Sequence, residues 1–136
     1  MLIETALLCL SLNIYFEARS EQIPGQYAVA QVTMNRVKRN DSNVCKEVLK
    51  PKQFSWTNDK VEVRDGKYYL KAEFKPKDVY AWQVAKIVAG VTLSGKLLYD
   101  ISHGAEFYHT ESVNPRWNKS FVKVKQIGKH VFYKRI

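Results

Sequence analysis

The chain has 136 residues, of which 46% are hydrophobic, 12% aromatic and 26% charged. This length suits one domain and the composition is that of a globular protein, which excludes a second full domain and general disorder. Lys and Arg number 22 against 13 Asp and Glu, so the net charge of +9 predicts contact with a polyanion: nucleic acid, an anionic membrane surface or an acidic wall polymer.

The N-terminal segment is apolar but does not have the pattern of a signal peptide. It lacks a basic beginning, carries Glu4, and continues into Asn13 and Glu17 without a cleavage site of small residues. No apolar run approaches the roughly 20 residues that span a bilayer. The sequence therefore predicts a soluble chain, made without its own export signal and monomeric.

Four stretches of the chain have the hydrophobic periodicity and end signals of helices. They span residues 2–19, 25–39, 44–49 and 77–94. The Ile23-Pro24-Gly25 run separates the first two, and Ser42 or Asn43 is expected to cap the third. In the last helix, Val79 and Ile87 are among the residues expected to be buried.

Short strands are predicted mainly in the second half of the chain. Alternating residues at 61–64 and 67–70 flank Asp65-Gly66 and have the pattern of a hairpin. Further strands are predicted at 105–109, 121–126 and 130–134. Helices first, strands later and no βαβ alternation indicate an α+β fold, with residues 1–136 as a single domain.

The two cysteines, Cys9 and Cys45, are too few for a disulfide scaffold and lack metal-ligand spacing. Buried thiols are the default interpretation, and a single bridge between them stays open because spacing alone does not decide it.

A carboxylate near the end of a buried helix is the first candidate for chemistry. Glu17 follows Tyr15 and Phe16, and an apolar site raises the pKa of a carboxyl group, as a general acid requires. Asn13 lies four residues back on the same helical face and is expected to hydrogen-bond it. The alternative is a solvated glutamate at a helix end.

Other candidates are weaker. His103, His109 and His130 lack the spacing of zinc ligands, so we expect no metal and no cofactor. Ser102 does not lie in the Gly-x-Ser-x-Gly turn of serine hydrolases. Four aromatic residues in polar surroundings either stack on sugars or bases or pack in the core: Phe54, Trp56, Tyr108 and Trp117.

These residues fall into three motifs that follow one another along the chain. The first is Asn13-Ile-Tyr-Phe-Glu17-Ala-Arg19 with Pro24-Gly25-Gln26, Ala28-Val-Ala-Gln-Val32 and Asn35-Arg36-Val37. The second is Val44-Cys45 with Gln53-Phe-Ser-Trp56. The third is Gly104-Ala105, Tyr108-His109-Thr110, Val113, Pro115-x-Trp117 and Ile127-Gly128-x-His130-x-Phe132-Tyr133. Together they resemble, in order and over residues 6 to 134, the SleB-type cell wall hydrolases, the spore cortex-lytic enzyme family.

The resemblance implies a lysozyme-like α+β domain that cuts the glycan strands of peptidoglycan. It assigns catalysis to Glu17 and implies a substrate-binding cleft to which Asn13 also belongs. The other cleft residues it implies are Gln53, Phe54, Trp56, Tyr108 and His109. The chain departs from the family at Ser20, where glycine is usual, and over the Lys-rich residues 57 to 75, which leaves substrate preference open.

Two mechanisms follow from this assignment. In a lytic transglycosylase Glu17 acts alone, first as acid and then as base, and the product ends in 1,6-anhydro-N-acetylmuramic acid. A muramidase or glucosaminidase needs a second carboxylate, for which Asp100, Glu106 and Glu111 are the candidates. The single-carboxylate mechanism is favoured.

Partners and location follow from charge and from the missing signal. A nucleic-acid-binding module is disfavoured, because the basic residues are scattered and such a module needs no buried carboxylate. We expect peptidoglycan strands and anionic wall or outer-membrane polymers as partners. The chain is expected to be a phage endolysin that waits in the host cytoplasm and is then released to the periplasm and wall.

Overall fold

A computed structural model describes residues 1–97 and 99–136, and it shows helices packed beside two small antiparallel sheets. The helices are α1 (Ala6–Ala18), α2 (Ile23–Asn40), α3 (Val44–Leu49), α4 (Ser55–Lys60) and α5 (Val79–Ser94). The strands are β1 (Val61–Arg64), β2 (Lys67–Leu70), β3 (Phe107–Thr110), β4 (Val122–Ile127) and β5 (His130–Lys134). The predicted α+β class is confirmed.

Helix α1 lies at the centre, in contact with α2, α3 and α5. Every residue from Cys9 to Tyr15 is buried, which suits a helix that is apolar on all faces. Its N-terminus is capped by Thr5, whose hydroxyl accepts from the Leu8 amide at 3.1 Å. The helix begins at Ala6 and not at residue 2, because Leu2 forms a bridge with Tyr69 of β2.

The other long helices differ from expectation in detail. Pro24 does not separate α1 from α2 but lies in the first turn of α2, where its missing N–H leaves no intrahelical bond unmade. In α5 the buried face consists of Ala81, Ala85, Val88 and Ala89. Val79 and Ile87, expected to be buried, lie on the other face and are 70% and 63% exposed.

Helix α4 was not predicted. It begins after Phe54, which supplies no capping hydrogen bond, so the sequence carries no start signal there. The helix turns Trp56 into the core, where the side chain is 4% exposed. The predicted hairpin follows directly, with Val63 opposite Tyr68 across the β1–β2 pair.

A disulfide joins Cys9 of α1 to Cys45 of α3, with the two Cα atoms 5.3 Å apart. The default interpretation of two buried thiols is therefore wrong. The bridge fixes the central helix to a short helix 36 residues further along the chain.

The second sheet has the strand order β3-β5-β4. Its β4–β5 turn is fastened to the end of α1 by Glu21, whose carboxylate accepts from the Lys129 amide at 3.2 Å. Gly128, with φ +57°, lies so close that any Cβ there would collide with the Glu21 carboxylate. This contact holds the sheet against the C-terminal end of α1. Within residues 1–97 and 99–136, no helix is both long and apolar enough to traverse a membrane.

Candidate active site

Glu17 lies in the last turn of α1, half-buried, at the edge where the helices meet the β3-β5-β4 sheet. The hydroxyl of Tyr108, from β3, donates a hydrogen bond to Glu17 Oε1 at 2.8 Å. The ring of His130 packs edge-on against Tyr108 with centroids 5.3 Å apart. Helix and sheet thus hold the carboxyl group of Glu17 in one orientation.

Burial raises the pKa of Glu17 above its ordinary value, and the Tyr108 hydrogen bond and the charge of Arg36 offset only part of this. The pKa of Tyr108 is raised in turn, by burial first and then by the Glu17 charge, so the hydroxyl remains a donor. A carboxyl group of raised pKa that opens onto a cleft has the properties of a general acid.

The cleft has two lobes, and Glu17 is the one described residue that lines both. The charged lobe, of about 530 Å³, is bordered by the end of α1, by α4 and by residues 73 to 77. Its lining is Tyr15, Phe16, Glu17, Arg19, Ser55, Trp56, Asp59, Lys60, Glu73, Phe74, Lys75 and Lys77. A chain molecule laid across the cleft would pass Glu17 between the lobes.

The aromatic lobe lies on the other side of Glu17 and has a volume of about 440 Å³. Its lining is Glu17, Arg36, Lys52, Gln53, Phe54, Phe107, Tyr108, Trp117 and Phe121. The rings are packed against one another: Phe54 stacks on Tyr108 at 6.2 Å and Phe107 on Phe121 at 4.3 Å between centroids. Flat apolar rings of this kind bind the faces of sugar rings.

Arg36 of α2 is the functional candidate that sequence reasoning missed. It is 6% exposed, and its Nε donates to the backbone carbonyl of Glu106. With the Gln53 amide oriented by its partners, the Gln53 oxygen accepts from both terminal nitrogens of Arg36 at 2.5 and 2.9 Å. The guanidinium also lies over the Phe54 ring, 5.5 Å from its centroid. A charged residue four positions after buried Val32 on an amphipathic helix was the available signal.

Most of the predicted cleft residues come together, but two do not reach the cleft surface. Gln53, Phe54 and Tyr108 line the aromatic lobe, and Trp56 lines the charged lobe. Asn13 is fully buried, and its side-chain oxygen accepts from Trp56 Nε1 at 2.9 Å, so it supports Trp56 instead of meeting a ligand.

His109 lines neither lobe. Its ring stacks on Tyr133 at 5.3 Å and is hydrogen-bonded to the Tyr133 hydroxyl at 3.0 Å. In this position His109 stabilises the sheet behind the aromatic lobe.

The three candidates for a second carboxylate lie outside both lobes. Asp100 organises its own loop by accepting from the Ser102 amide at 2.9 Å, and Glu106 pairs with Arg39 at 3.3 Å. Glu111 accepts from Gln126 at 3.0 Å. The carboxylates that share a lobe with Glu17 are Asp59 and Glu73. Among the described residues no group of three or more His, Cys, Asp or Glu is arranged to hold a metal ion.

The turn after Glu17 tolerates the departure at Ser20. Ser20 does not have a positive φ angle, so its backbone conformation does not require glycine.

The family model described as Cell Wall Hydrolase matches residues 20–133. The chain belongs to the cell wall hydrolase family. Glu17 lies just before the matched range, and Arg36, Gln53, Phe54 and Tyr108 lie inside it.

Curated relatives of this cell wall hydrolase include the spore cortex-lytic enzyme of Oceanobacillus iheyensis, 29% identical over 89% of this chain and 38% of that protein. The spore cortex-lytic enzyme of Halalkalibacterium halodurans is 30% identical over 88% of this chain and 32% of that protein. The chain therefore spans about a third to two fifths of the length of these relatives.

Two solved structures share the fold. The catalytic domain of the germination-specific lytic transglycosylase SleB from Bacillus anthracis matches with a TM-score of 0.71 and 26% identity, over 95% of this chain and 93% of that one. The catalytic domain of Bacillus cereus SleB matches with a TM-score of 0.69 and 26% identity, over 95% and 89%. The predicted lysozyme-like fold and SleB-type family are confirmed.

Proposed function

We propose that the chain cleaves the glycan strands of peptidoglycan as a lytic transglycosylase, with Glu17 as its single catalytic carboxyl group. The observation that carries this proposal is the place of Glu17: a carboxyl group of raised pKa at the junction of the two lobes, oriented by Tyr108. The relatives' names, spore cortex-lytic enzyme and lytic transglycosylase, support the same class of reaction.

The reaction runs in two steps with one proton carrier. Protonated Glu17 gives its proton to the glycosidic oxygen, the bond from that oxygen to C1 of N-acetylmuramic acid breaks, and positive charge develops at C1. The C6 hydroxyl of the same sugar then attacks C1 and returns its proton to Glu17. The product ends in a 1,6-anhydro ring, no water is consumed, and the enzyme is restored.

The surroundings of Glu17 suit this second step. Because the attacking hydroxyl belongs to the same sugar, its effective concentration at C1 is high relative to water. The rings of Phe54, Trp56 and Tyr108 lie in the two lobes that flank Glu17, where apolar surface would limit the access of water once a glycan fills the cleft.

The variant Glu17→Gln keeps the size of the side chain but removes the transferable proton, so we expect turnover of purified peptidoglycan to fall at least about a hundredfold. The fold should survive. Burial raises the Glu17 pKa, so the wild type loses stability as pH rises through that pKa, whereas the amide has no such loss. At neutral pH the variant should therefore unfold at the same urea concentration as wild type or a higher one.

The matched control is Glu111→Gln, which removes a carboxylate outside both lobes and should leave turnover within about twofold. Wild-type turnover in the Glu17→Gln variant would show that Glu17 is structural only. Digestion in H₂¹⁸O followed by mass spectrometry identifies the product: anhydro ends, about 18 Da lighter and free of label, are expected because no water is added.

Labelled reducing ends would instead indicate hydrolysis, at muramic acid for a muramidase and at glucosamine for a glucosaminidase. Asp59 and Glu73 are then the carboxylates to replace first, because both line the charged lobe with Glu17.

We further propose that the enzyme acts at the cell wall, outside the cytoplasm, in the manner of an endolysin. The Cys9–Cys45 bridge supports this location, because disulfides persist in oxidising compartments. The net charge of +9 favours adhesion to anionic wall polymers. Protein recovered from the wall should resist thiol alkylation until it is reduced; free thiols there would contradict the proposal.

A further inference from the structure

The charged lobe carries a net positive charge, which binding of an uncharged glycan would not require. Four cations line it, against two carboxylates besides Glu17. The cations come from three separate parts of the chain: Arg19 from the end of α1, Lys60 from α4, and Lys75 and Lys77 from the segment before α5. Folding therefore gathers charges that are far apart in the sequence.

Two of these cations are held in place by aromatic rings. The Lys60 ammonium lies 4.7 Å from the Phe74 ring centroid, and the Arg19 guanidinium lies 4.7 Å from the Tyr15 ring centroid. Arg19 also donates to the backbone carbonyl of Tyr15 at 3.2 Å. Such positioned cations lose less conformational entropy when they meet an anion than free surface side chains do.

Most of this positive charge is not neutralised within the chain. Lys60 has Asp59 as a neighbour at 3.5 Å. Across residues 1–97 and 99–136, no carboxylate lies within 4.0 Å of the charged nitrogens of Arg19, Lys75 or Lys77. These three cations are therefore available to an anionic ligand.

The aromatic lobe offers fewer cations, because Arg36 and the exposed Lys52 are the only cations among the described residues that line it. Its buried cation, Arg36, is already engaged with the Gln53 oxygen and the Glu106 carbonyl. The positive charge open to a negatively charged substrate is therefore concentrated on the charged-lobe side of Glu17, where Arg19, Lys75 and Lys77 stand against Lys52 on the other side.

We propose that the charged lobe binds free carboxylates of the stem peptides, so that the enzyme prefers glycan strands bearing peptides with ionised carboxyl groups. The inference rests on the proposed function and deepens it. The lactyl group of each N-acetylmuramic acid carries the peptide, so peptide carboxylates lie beside the sugar whose bond is broken. A cation in the adjoining lobe meets them while the glycan occupies the cleft.

The test uses two forms of one substrate: soluble peptide-bearing glycan fragments, and the same fragments with carboxylates converted to amides by carbodiimide and ammonium. Wild type should cleave the native fragments with a KM roughly three- to tenfold lower than the amidated ones, as two exposed ion pairs imply. The double variant Lys75→Gln/Lys77→Gln should raise the KM for native fragments towards that of amidated ones, because it removes two of the three unpaired cations among the described residues of the charged lobe.

The matched control is Lys123→Gln/Lys125→Gln on β4, which removes the same charge from an exposed strand outside both lobes. Its KM should stay within about twofold of wild type at 0.1 M salt, where charges more than about 10 Å apart are screened. Equal losses in both double variants, or equal KM for native and amidated fragments, would overturn the proposal. Fragments carrying wall phosphate polymers provide a further arm: preference that follows phosphate and ignores amidation would also overturn it.

Binding separates this proposal from the proposed function. In the Glu17→Gln background, the affinity for native fragments should exceed that for amidated fragments and should fall when Lys75 and Lys77 are replaced. This result stands even if wild type cleaves neither substrate. Equal affinity for both fragments would reject the stem-peptide site while leaving catalysis by Glu17 intact.

Discussion

The two lobes of the cleft share Glu17 and differ in almost everything else. The charged lobe carries four cations and two further carboxylates beside its aromatic residues, whereas the aromatic lobe is a packed cluster of rings around buried Arg36. A packed lobe presents a fixed shape, and an exposed one presents charge that salt screens. We therefore expect recognition of shape on one side of Glu17 and recognition of charge on the other.

The two lobes are also expected to differ in what a substitution changes: the stability of the domain in one lobe and the substrate preference in the other. Residues of the aromatic lobe belong to the packing of the domain, so their replacement costs folding free energy as well as binding. Lys75 and Lys77 of the charged lobe are solvent-exposed, so their replacement should alter substrate preference without a cost in folding free energy.

The largest effect should come from a site that touches neither lobe. Replacing the disulfide with Cys9→Ala/Cys45→Ala frees a loop with a separation of 36 residues, which the chain-entropy treatment equates to a loss of about 4 kcal/mol in the free energy of unfolding. Urea unfolding of the variant and of oxidised wild type measures this difference in the free energy of unfolding. The KM ratio between native and amidated fragments should not change; an altered ratio would show that the bridge shapes the cleft.

The next effect should be confined to the aromatic lobe. Arg36→Met removes the partner of the Gln53 oxygen and the Glu106 carbonyl, so the free energy of unfolding should fall by about 2–3 kcal/mol. Turnover should fall as Gln53 and Phe54 lose their anchor. On the same helix Arg39→Met, at a side chain 48% exposed, should change stability by less than about 0.5 kcal/mol. Similar losses in both variants would contradict the assignment of Arg36.

The smallest effect is expected in pH dependence. The Tyr108 hydroxyl favours ionised Glu17 by donating to it, so Tyr108→Phe should raise the Glu17 pKa further. In the proposed mechanism the protonated form is the active one, so the alkaline limb of kcat/KM should move to higher pH. Tyr133→Phe, which removes a hydroxyl bonded to His109 outside the cleft, should leave the limb in place. If Tyr108→Phe left the alkaline limb in place, the hydrogen bond from Tyr108 would not affect the pKa of Glu17.

Local pattern was sufficient for the parts of the fold that depend on neighbours along the chain. Residues that are close in the sequence were enough to predict α1, the turn at Asp65-Gly66 and the apolar surroundings of Glu17. The disulfide could not be predicted in this way, because a separation of 36 residues carries no information on whether two cysteines meet.

The cleft shows the same limit. The family resemblance implies a cleft role for His109, yet its ring stacks on Tyr133 and lines neither lobe. Asp59 and Glu73 were not considered, because only the placement of α4 and of the following segment brings them to the lobe that Glu17 shares. Residues gathered by tertiary packing leave no local signal.

The position of Glu17 at the carboxyl end of α1 has one further consequence. Aligned peptide dipoles place the equivalent of roughly half a negative charge at that end of a helix, which disfavours a second negative charge nearby by about 0.3–1 kcal/mol. This field comes from the backbone, acts in the same direction as burial, and does not depend on which side chains line the lobes. The helix itself thus favours the protonated form of Glu17, a contribution that side-chain substitutions in the cleft leave in place.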